Sequence, residues 1–328
     1  MKLQILIPHY KESAEEMLPM LSSIAIQQSV DFKDVGVIIA YDGEEATALP
    51  EEEWAKQFPF TIEHIHCEHN GVSATRNAAL DHATADYVMF CDADDMFCHA
   101  CGLYIIFKEM EIGFDHLVSM FIEESRHPQT KEPVYINREM DSTFVHGKVN
   151  RRKYLLDNHI RFNPKLTIHE DSFFNILAAN LTNNAKYCQT PFYLWKWRDN
   201  SVCRHDPDYI LKTYINMVDS NDALIEEFID RGRVDKARMY VGTLIFDAYY
   251  LLNKKEWLDK VHKDYRDKTE LRLSKYFKKH KEHWEKLSDT DKMMISNGIR
   301  TRSVYEGMPM ESITINEWFN HLLTISEE

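Results

Sequence analysis

The chain opens with short apolar runs separated by amphipathic stretches. Residues 3–8, 35–41, 61–66 and 87–91 are rich in Ile, Val, Leu and aromatic side chains and have strand length. Between them, residues 13–28, 50–58 and 71–82 carry apolar positions at helical spacing. Strands separated by helices predict βαβ units, hence an α/β fold with a mostly parallel sheet and helices on both faces. Such sheets bind ligands at the carboxyl ends of their strands. Polar and acidic residues stand at three of those ends: His9-Tyr10, Asp42-Gly43 and Asp92-Ala93-Asp94-Asp95.

The pattern then changes. Residues 117–124 and 133–137 predict two further strands that can pair as a ribbon, and the aromatic-rich run 191–197 predicts another. Helices are expected over 151–159 and 170–181. Beyond residue 205 the periodicity is helical. The expected organisation is a nucleotide-binding catalytic domain over 1–205 and a helical domain over 206–328, the latter for acceptor binding or homo-oligomerisation.

Composition narrows the class. Of 328 residues, 44% are apolar and 28% charged, as in ordinary globular proteins. No run approaches the roughly 20 apolar residues that span a bilayer. The N-terminus enters a strand without a basic segment and apolar leader, so a cytoplasmic chain with no integral membrane segment is expected. A net charge of −14 disfavours a nucleic-acid backbone as partner. Residues 254–286 run against that trend, with 12 basic and 7 acidic side chains. Mixed signs at helical spacing read as a solvated face. The alternative is a docking surface or scaffold that displays Trp257, Phe277 and Trp284. Cys98-His99-Ala100-Cys101 is a lone C-x-x-C with no second pair for a structural zinc, and reads as reduced, buried thiols on a helix.

The acidic cluster carries the chemistry. Asp92-Ala93-Asp94-Asp95 follows the apolar run Tyr87-Val88-Met89-Phe90-Cys91. Carboxylates at the end of a buried strand are costly unless paired or metal-bound. Oxygen ligands suit Mg²⁺ or Mn²⁺, which leave positions for phosphates and water. One Asp can serve as a helix cap, but three in four residues exceed that need.

Four segments resemble the inverting family-2 glycosyltransferases of GT-A fold. Ile7-Pro8-His9-Tyr10 is similar to the family's first strand end, with Lys11 where Asn is usual. Tyr41-Asp42-Gly43-Glu44 is similar to D-D-G-S, with Tyr41 and Glu44 as departures. Asn70-Gly71-Val72-Ser73-Ala74-Thr75-Arg76-Asn77 leads into the D-A-D-D run, as in the family. Glu170-Asp171 is similar to its E-D pair.

The resemblance implies a GT-A, Rossmann-like sheet with a C-terminal helical domain, and a sugar transferase using a nucleotide-sugar donor, most commonly UDP-linked. It implies donor contacts from Pro8, Tyr10, Asp42, Asn70, Arg76, Asp92 and Ala93. Asp94 and Asp92 would hold Mn²⁺ or Mg²⁺, and Asp95 would orient that loop or touch the acceptor. Asp171 would deprotonate the acceptor hydroxyl, with Glu170 or His169 taking that role if the register shifts by one. His205 would be a third metal ligand, and Arg198 and Ser201 would clamp the diphosphate. Trp195 and Trp197 alternate onto one side of a strand, to stack on a sugar or to pack in the core. His146-Gly147-Lys148 reads as a sugar or acceptor contact, or as a turn. The acceptor stays open: a polysaccharide, a lipid-linked sugar, a protein or a modified nucleic acid.

Other classes compete. A sugar-phosphate nucleotidyltransferase needs a Gly-rich loop after the first strand, and Pro8-His9-Tyr10-Lys11-Glu12 has no Gly. No G-x-G-x-x-G or G-x-x-x-x-G-K is present, which excludes dinucleotide and P-loop enzymes. A catalytically silent nucleotide- or sugar-binding scaffold is opposed by the near-complete set of D-x-D, Arg and E-D.

Overall fold

The computed structural model describes residues 1–139, 141–199, 201, 209–253, 263–305 and 314–324, with the backbone alone at 209–214, 250, 263–266 and 322. The chain divides into two compact units, Met1–Ser201 and Val202–Glu328.

The first unit begins with β1 (Leu3–His9), α1 (Ala14–Ala25), β2 (Val35–Asp42), α2 (Glu51–Gln57), β3 (Thr61–Cys67), α3 (Gly71–His82) and β4 (Tyr87–Phe90). These follow the expected βαβ rhythm. β3, β2, β1 and β4 lie side by side and all pair in parallel. Alternation along β1 covers both sheet faces. Leu3, Ile5 and Ile7 share a core with Met17, Met20, Leu21 and Ile24 of α1. Phe90 of β4 belongs to a second cluster and meets Phe162 and Phe174 edge-on, at 4.9 and 5.5 Å between ring centroids. Each fully buried side chain of this kind contributes about 1.5–3 kcal/mol.

Beyond β4 the sheet is mixed, not mostly parallel. The chain continues through β5 (Met96–Phe97), α4 (Gly102–Ile112), β6 (His116–Arg126), β7 (Pro133–Arg138), β8 (Lys148–Arg151), α5 (Arg152–Asp157), α6 (Glu170–Asn180) and β9 (Ala185–Trp195). β8 sits between β4 and β6, antiparallel to both, and β9 runs parallel to β6. β6 and β7 form the expected ribbon. Among the described residues β7 pairs only with β6, and its Val134, Tyr135 and Ile136 are exposed. β9 starts earlier than the aromatic run and ends at Trp195, so Trp197 lies past the strand. The C-x-x-C cysteines are not buried thiols on a helix: Cys98 is exposed, and Cys101 is the half-buried residue that caps α4.

The second unit contains α7 (Tyr209–Asp230), α8 (Val234–Asn253), α9 (Lys263–Glu285), α10 (Asp289–Tyr305) and α11 (Ile315–Thr324). Phe277 and Trp284 are buried here rather than displayed, and Trp284 stacks on Phe319 at 4.7 Å. In the described part of the basic run, Arg272 bonds Asp219 at 2.6 Å and Lys279 bonds Asp222 at 3.1 Å, as a solvated, ion-paired face would. Trp257 lies outside the described residues. Among the described residues no helix is long and apolar enough to cross a membrane.

Candidate active site

The parallel strands bring their polar ends to one edge. Pro8 is the last residue but one of β1, and Tyr10 follows the strand, its ring stacked on His69 at 4.9 Å with Lys11 Nζ 4.5 Å from the ring centre. Asp42 ends β2. Its Oδ1 accepts hydrogen bonds from the backbone N–H groups of Asn70 and Gly71 at 3.1 and 3.2 Å, tying it to the N-terminus of α3. Asn70 caps that helix without a side-chain bond. Gly43, which follows Asp42, has φ +91°, and a Cβ there would lie 2.6 Å from the His69 Cβ. Only glycine fits both demands. Tyr41 points the other way, into the core, and its hydroxyl donates to Glu51 at 2.9 Å.

Arg76 is the centre of the site. It lies in α3 with 5% of its side chain exposed. Its Nη2 donates to Asp92 Oδ1 at 2.8 Å and its Nη1 to Glu170 Oε1 at 2.9 Å. The guanidinium also lies over the Phe162 ring. Burial would lower its pKa, but the carboxylates of Asp92, Glu170 and Asp171 outweigh that and hold it above the usual value. One guanidinium thus joins the D-x-D run to the E-D pair.

Glu170 and Asp171 open α6, where the helix dipole favours negative charge. The preceding His169 has φ +65°, a left-handed turn costly for a residue with a Cβ. Asp171 accepts the Ser172 N–H at 2.7 Å. Burial first, then the neighbouring charge of Glu170, pushes its pKa up to about 7, against the opposing pull of Arg76.

The acidic run divides its work. Ala93 is buried beside the three carboxylates. Asp95 is buried, accepts from Tyr193 Oη at 2.6 Å and from the Lys196 N–H at 2.9 Å, and is raised well above the usual range by burial and by Asp92 and Asp94. The Tyr193 hydroxyl also accepts the Asp92 N–H at 3.1 Å, so β9 holds the whole turn. Asp94 faces Arg198, whose Nη1 donates to it at 2.8 Å. Burial and Asp92 raise the Asp94 pKa. The same guanidinium reaches Glu16 at 3.2 Å and Glu12 at 3.6 Å. Ser201 donates its N–H to the Arg198 carbonyl at 3.2 Å.

His146-Gly147-Lys148 is more than a turn. Gly147 has φ +70°, and a Cβ there would lie 2.4 Å from Ser119 Oγ. This close passage buries His146 and Lys148 on either side. His146 stacks with Tyr193 and Trp195, at 5.1 and 5.2 Å. Asp92, Asp95 and His146 each bring one ligand atom within 4.8 Å of the others, two carboxylates and an imidazole that could hold a divalent cation. Lys148 donates to the His146 carbonyl at 3.1 Å, and burial lowers its pKa to about 8. Trp195 packs among these rings. Trp197 does not share that place: its ring lies against Arg126 and its Nε1 bonds Asp199 at 2.7 Å. His205 lies outside the described residues.

Thus Arg76, Asp92, Asp94, Asp95, Glu170, Asp171 and Arg198 form one connected network of charge, while Pro8, Tyr10, Asp42 and Asn70 line the neighbouring strand ends. Sequence reasoning missed Glu12, Glu16 and Tyr193. Glu12 adjoins the first strand end, and Tyr193 sits two residues before Trp195 on the same strand face. Nothing local marks any of the three as a partner of the acidic run.

The sequence model of glycosyl transferase family 2 matches residues 4–174, just over half of the chain. The chain belongs to that family. Among its relatives is the glycosyltransferase EpsH of Bacillus subtilis (strain 168), 23% identical over 245 residues, which span 68% of this chain and 69% of EpsH. The fold matches S. aureus TarS residues 1–349 in complex with UDP-GlcNAc. The TM-score is 0.66 and the identity 15%, over 97% of this chain and 90% of that one. The mannosyltransferase PcManGT of Pyrobaculum calidifontis, in complex with GDP-Man and Mn²⁺, matches at a TM-score of 0.51 and 15% identity, over 98% and 84% of the two chains. The protein is a glycosyltransferase, and its first unit has the GT-A-like mixed sheet.

Proposed function

We propose that this glycosyltransferase moves a sugar from a nucleotide-sugar, a UDP-sugar, to an acceptor hydroxyl with inversion. Asp171 acts as general base, and Asp92 and Asp94 hold Mn²⁺ or Mg²⁺. The observation that carries this reading is the Arg76 bridge, which draws a donor-side carboxylate and the base-side pair into one site. UDP-GlcNAc in the TarS complex and Mn²⁺ in the PcManGT complex support the donor and the ion.

The residues suit such a cation. Carboxylate oxygens are its preferred ligands, and Asp94 carries a pKa raised by burial first and then by the charge of Asp92. A divalent ion there supplies charge neutralisation at the leaving diphosphate. Asp171, raised to about 7, is poised to take a proton from a hydroxyl near neutral pH. Asp42 and Tyr10 lie where a nucleobase would meet β1 and β2. The acceptor is a hydroxyl of a polysaccharide, a lipid-linked sugar, a protein or a modified nucleic acid.

Nucleotide release from UDP-, GDP-, CDP- and TDP-sugars, with Mn²⁺ or Mg²⁺, tests the proposal. Metal-dependent release from one donor, lost in Asp94→Ala, is expected. Release that ignores both Asp94→Ala and Asp171→Asn would reject the assigned site.

A further inference from the structure

Arg198 has no role in the family resemblance beyond a diphosphate clamp, yet its position here is on the carboxylate proposed for the metal. Its Nη1 donates to Asp94 Oδ2 at 2.8 Å. Its Nη2 meets Glu16 Oε1 at 3.2 Å, and the Nη1 that bonds Asp94 also lies 3.6 Å from Glu12 Oε1. Glu12 is half-buried and Glu16 exposed, and each is tied to the backbone at the start of α1. The other oxygen of Glu12 accepts the Tyr10 N–H at 3.0 Å. Burial opposes ionisation of Glu12, but hydrogen bonds from His9 and the Tyr10 backbone outweigh it and hold its carboxyl down at about 2. The other oxygen of Glu16 accepts the Ser13 N–H at 2.8 Å, closing the capping box of α1. Two carboxylates anchored at the start of α1 therefore flank the guanidinium, Glu16 at Nη2 and Glu12 beside Nη1, while Nη1 bonds Asp94.

We propose that Arg198 is a built-in counter-ion that makes metal binding conditional on the donor. This rests on the proposed donor-and-metal reading of the site. A bare divalent cation approaching Asp94 meets a positive group already bonded to that carboxylate, and like charges repel. A cation that arrives with a nucleoside diphosphate brings negative oxygens to which the displaced guanidinium can bond, and Arg is suited to that by its forked donors. Arg198 thus opposes the metal alone and favours the metal with diphosphate. Metal and nucleotide affinities are then coupled through one side chain, and the coupling is reciprocal.

The test is Mn²⁺ binding, followed by electron paramagnetic resonance of free Mn²⁺ and by calorimetry, with and without UDP. The wild-type chain should bind Mn²⁺ alone weakly, and UDP should strengthen that binding about tenfold or more. In Arg198→Met, Mn²⁺ alone should bind about tenfold more tightly, while UDP in the presence of Mn²⁺ should bind about tenfold more weakly. Arg198→Lys keeps the positive charge and should keep weak binding of bare Mn²⁺, which separates charge from a merely structural role. Unchanged or weaker binding of bare Mn²⁺ by Arg198→Met would overturn the proposal, and that arm needs no nucleotide. Asp94→Ala distinguishes the two levels. If it leaves Mn²⁺ binding intact, the metal site itself is misassigned; if it abolishes binding while Arg198→Met changes nothing, only the counter-ion role fails.

Discussion

Replacing Arg76 by Met removes a buried cation from between two carboxylates. Losing one partner of a buried pair costs about 3–5 kcal/mol when the other charge stays dry. The side chains of Asp92 and Glu170 are 31% and 13% exposed, so water reaches Asp92 and relieves part of its penalty. A loss of about 3 kcal/mol is therefore expected. With a urea slope of about 2–3 kcal/mol per molar, the unfolding midpoint of the first unit falls by about 1–1.5 M. A second consequence is electrostatic. Arg76 pulls the Asp171 pKa down from where burial and Glu170 would put it. Without that charge the pKa rises further, by about one unit. A general base works ionised, so the acidic limb of the rate profile moves upward, and the variant regains part of its activity near pH 8.5. Arg76→Lys keeps the charge and loses the fork, so its limb should stay near the wild-type position while its midpoint still drops. Denaturant titration and a pH–rate profile on the same preparations read both effects. If Arg76→Met unfolds at the wild-type midpoint, or its acidic limb stays where it was, the bridging role is wrong.

Further outcomes follow from other residues. Asp171→Asn should lower turnover by about a thousandfold while UDP binding persists. Its effect on stability has a definite sign. A carboxyl raised to about 7 in the fold costs stability as pH rises from its unfolded value, about 4, to 7, so the variant's advantage in unfolding midpoint should grow across that window and level off above it. Gly147→Ala meets both a left-handed backbone and Ser119 Oγ, and should lose about 2 kcal/mol; adding Ser119→Ala should recover the steric part only, as unfolding of the double variant will show. Trp284→Ala should destabilise the helical unit by about 3–5 kcal/mol, seen in thermal unfolding by circular dichroism.

Local patterns revealed what local physics controls. β1 to β4 were legible because each is an apolar run bounded by turn residues, and the acidic ends of β2 and β4 could be placed for the same reason. β8 was not. Its Lys148, Val149, Asn150 and Arg151 include only one apolar residue, yet it lies inside the sheet with Lys148 and Asn150 buried. Asn150 pays for its place with a 2.7 Å hydrogen bond to His116, a partner no periodicity discloses. The same limit applies to Arg76 and Arg198. Their charge and forked donors suggested phosphate; the carboxylates that hold them, Glu170 and Asp94, are distant in sequence and no periodicity discloses them. Trp195 and Trp197 show the converse: alternation predicted one face, and the strand ended before it could impose that face on the second ring.

The β6–β7 ribbon carries a practical consequence. Its outer strand offers an unpaired run of backbone N–H and C=O groups among the described residues, with Val134, Tyr135 and Ile136 exposed along it. Such an edge can template pairing between chains. Pro133 at its start and the Arg138–Glu123 ion pair at its end blunt the two tips, but the middle stays apolar. Self-association should therefore rise with protein concentration, and Ile136→Lys should reduce it in light scattering.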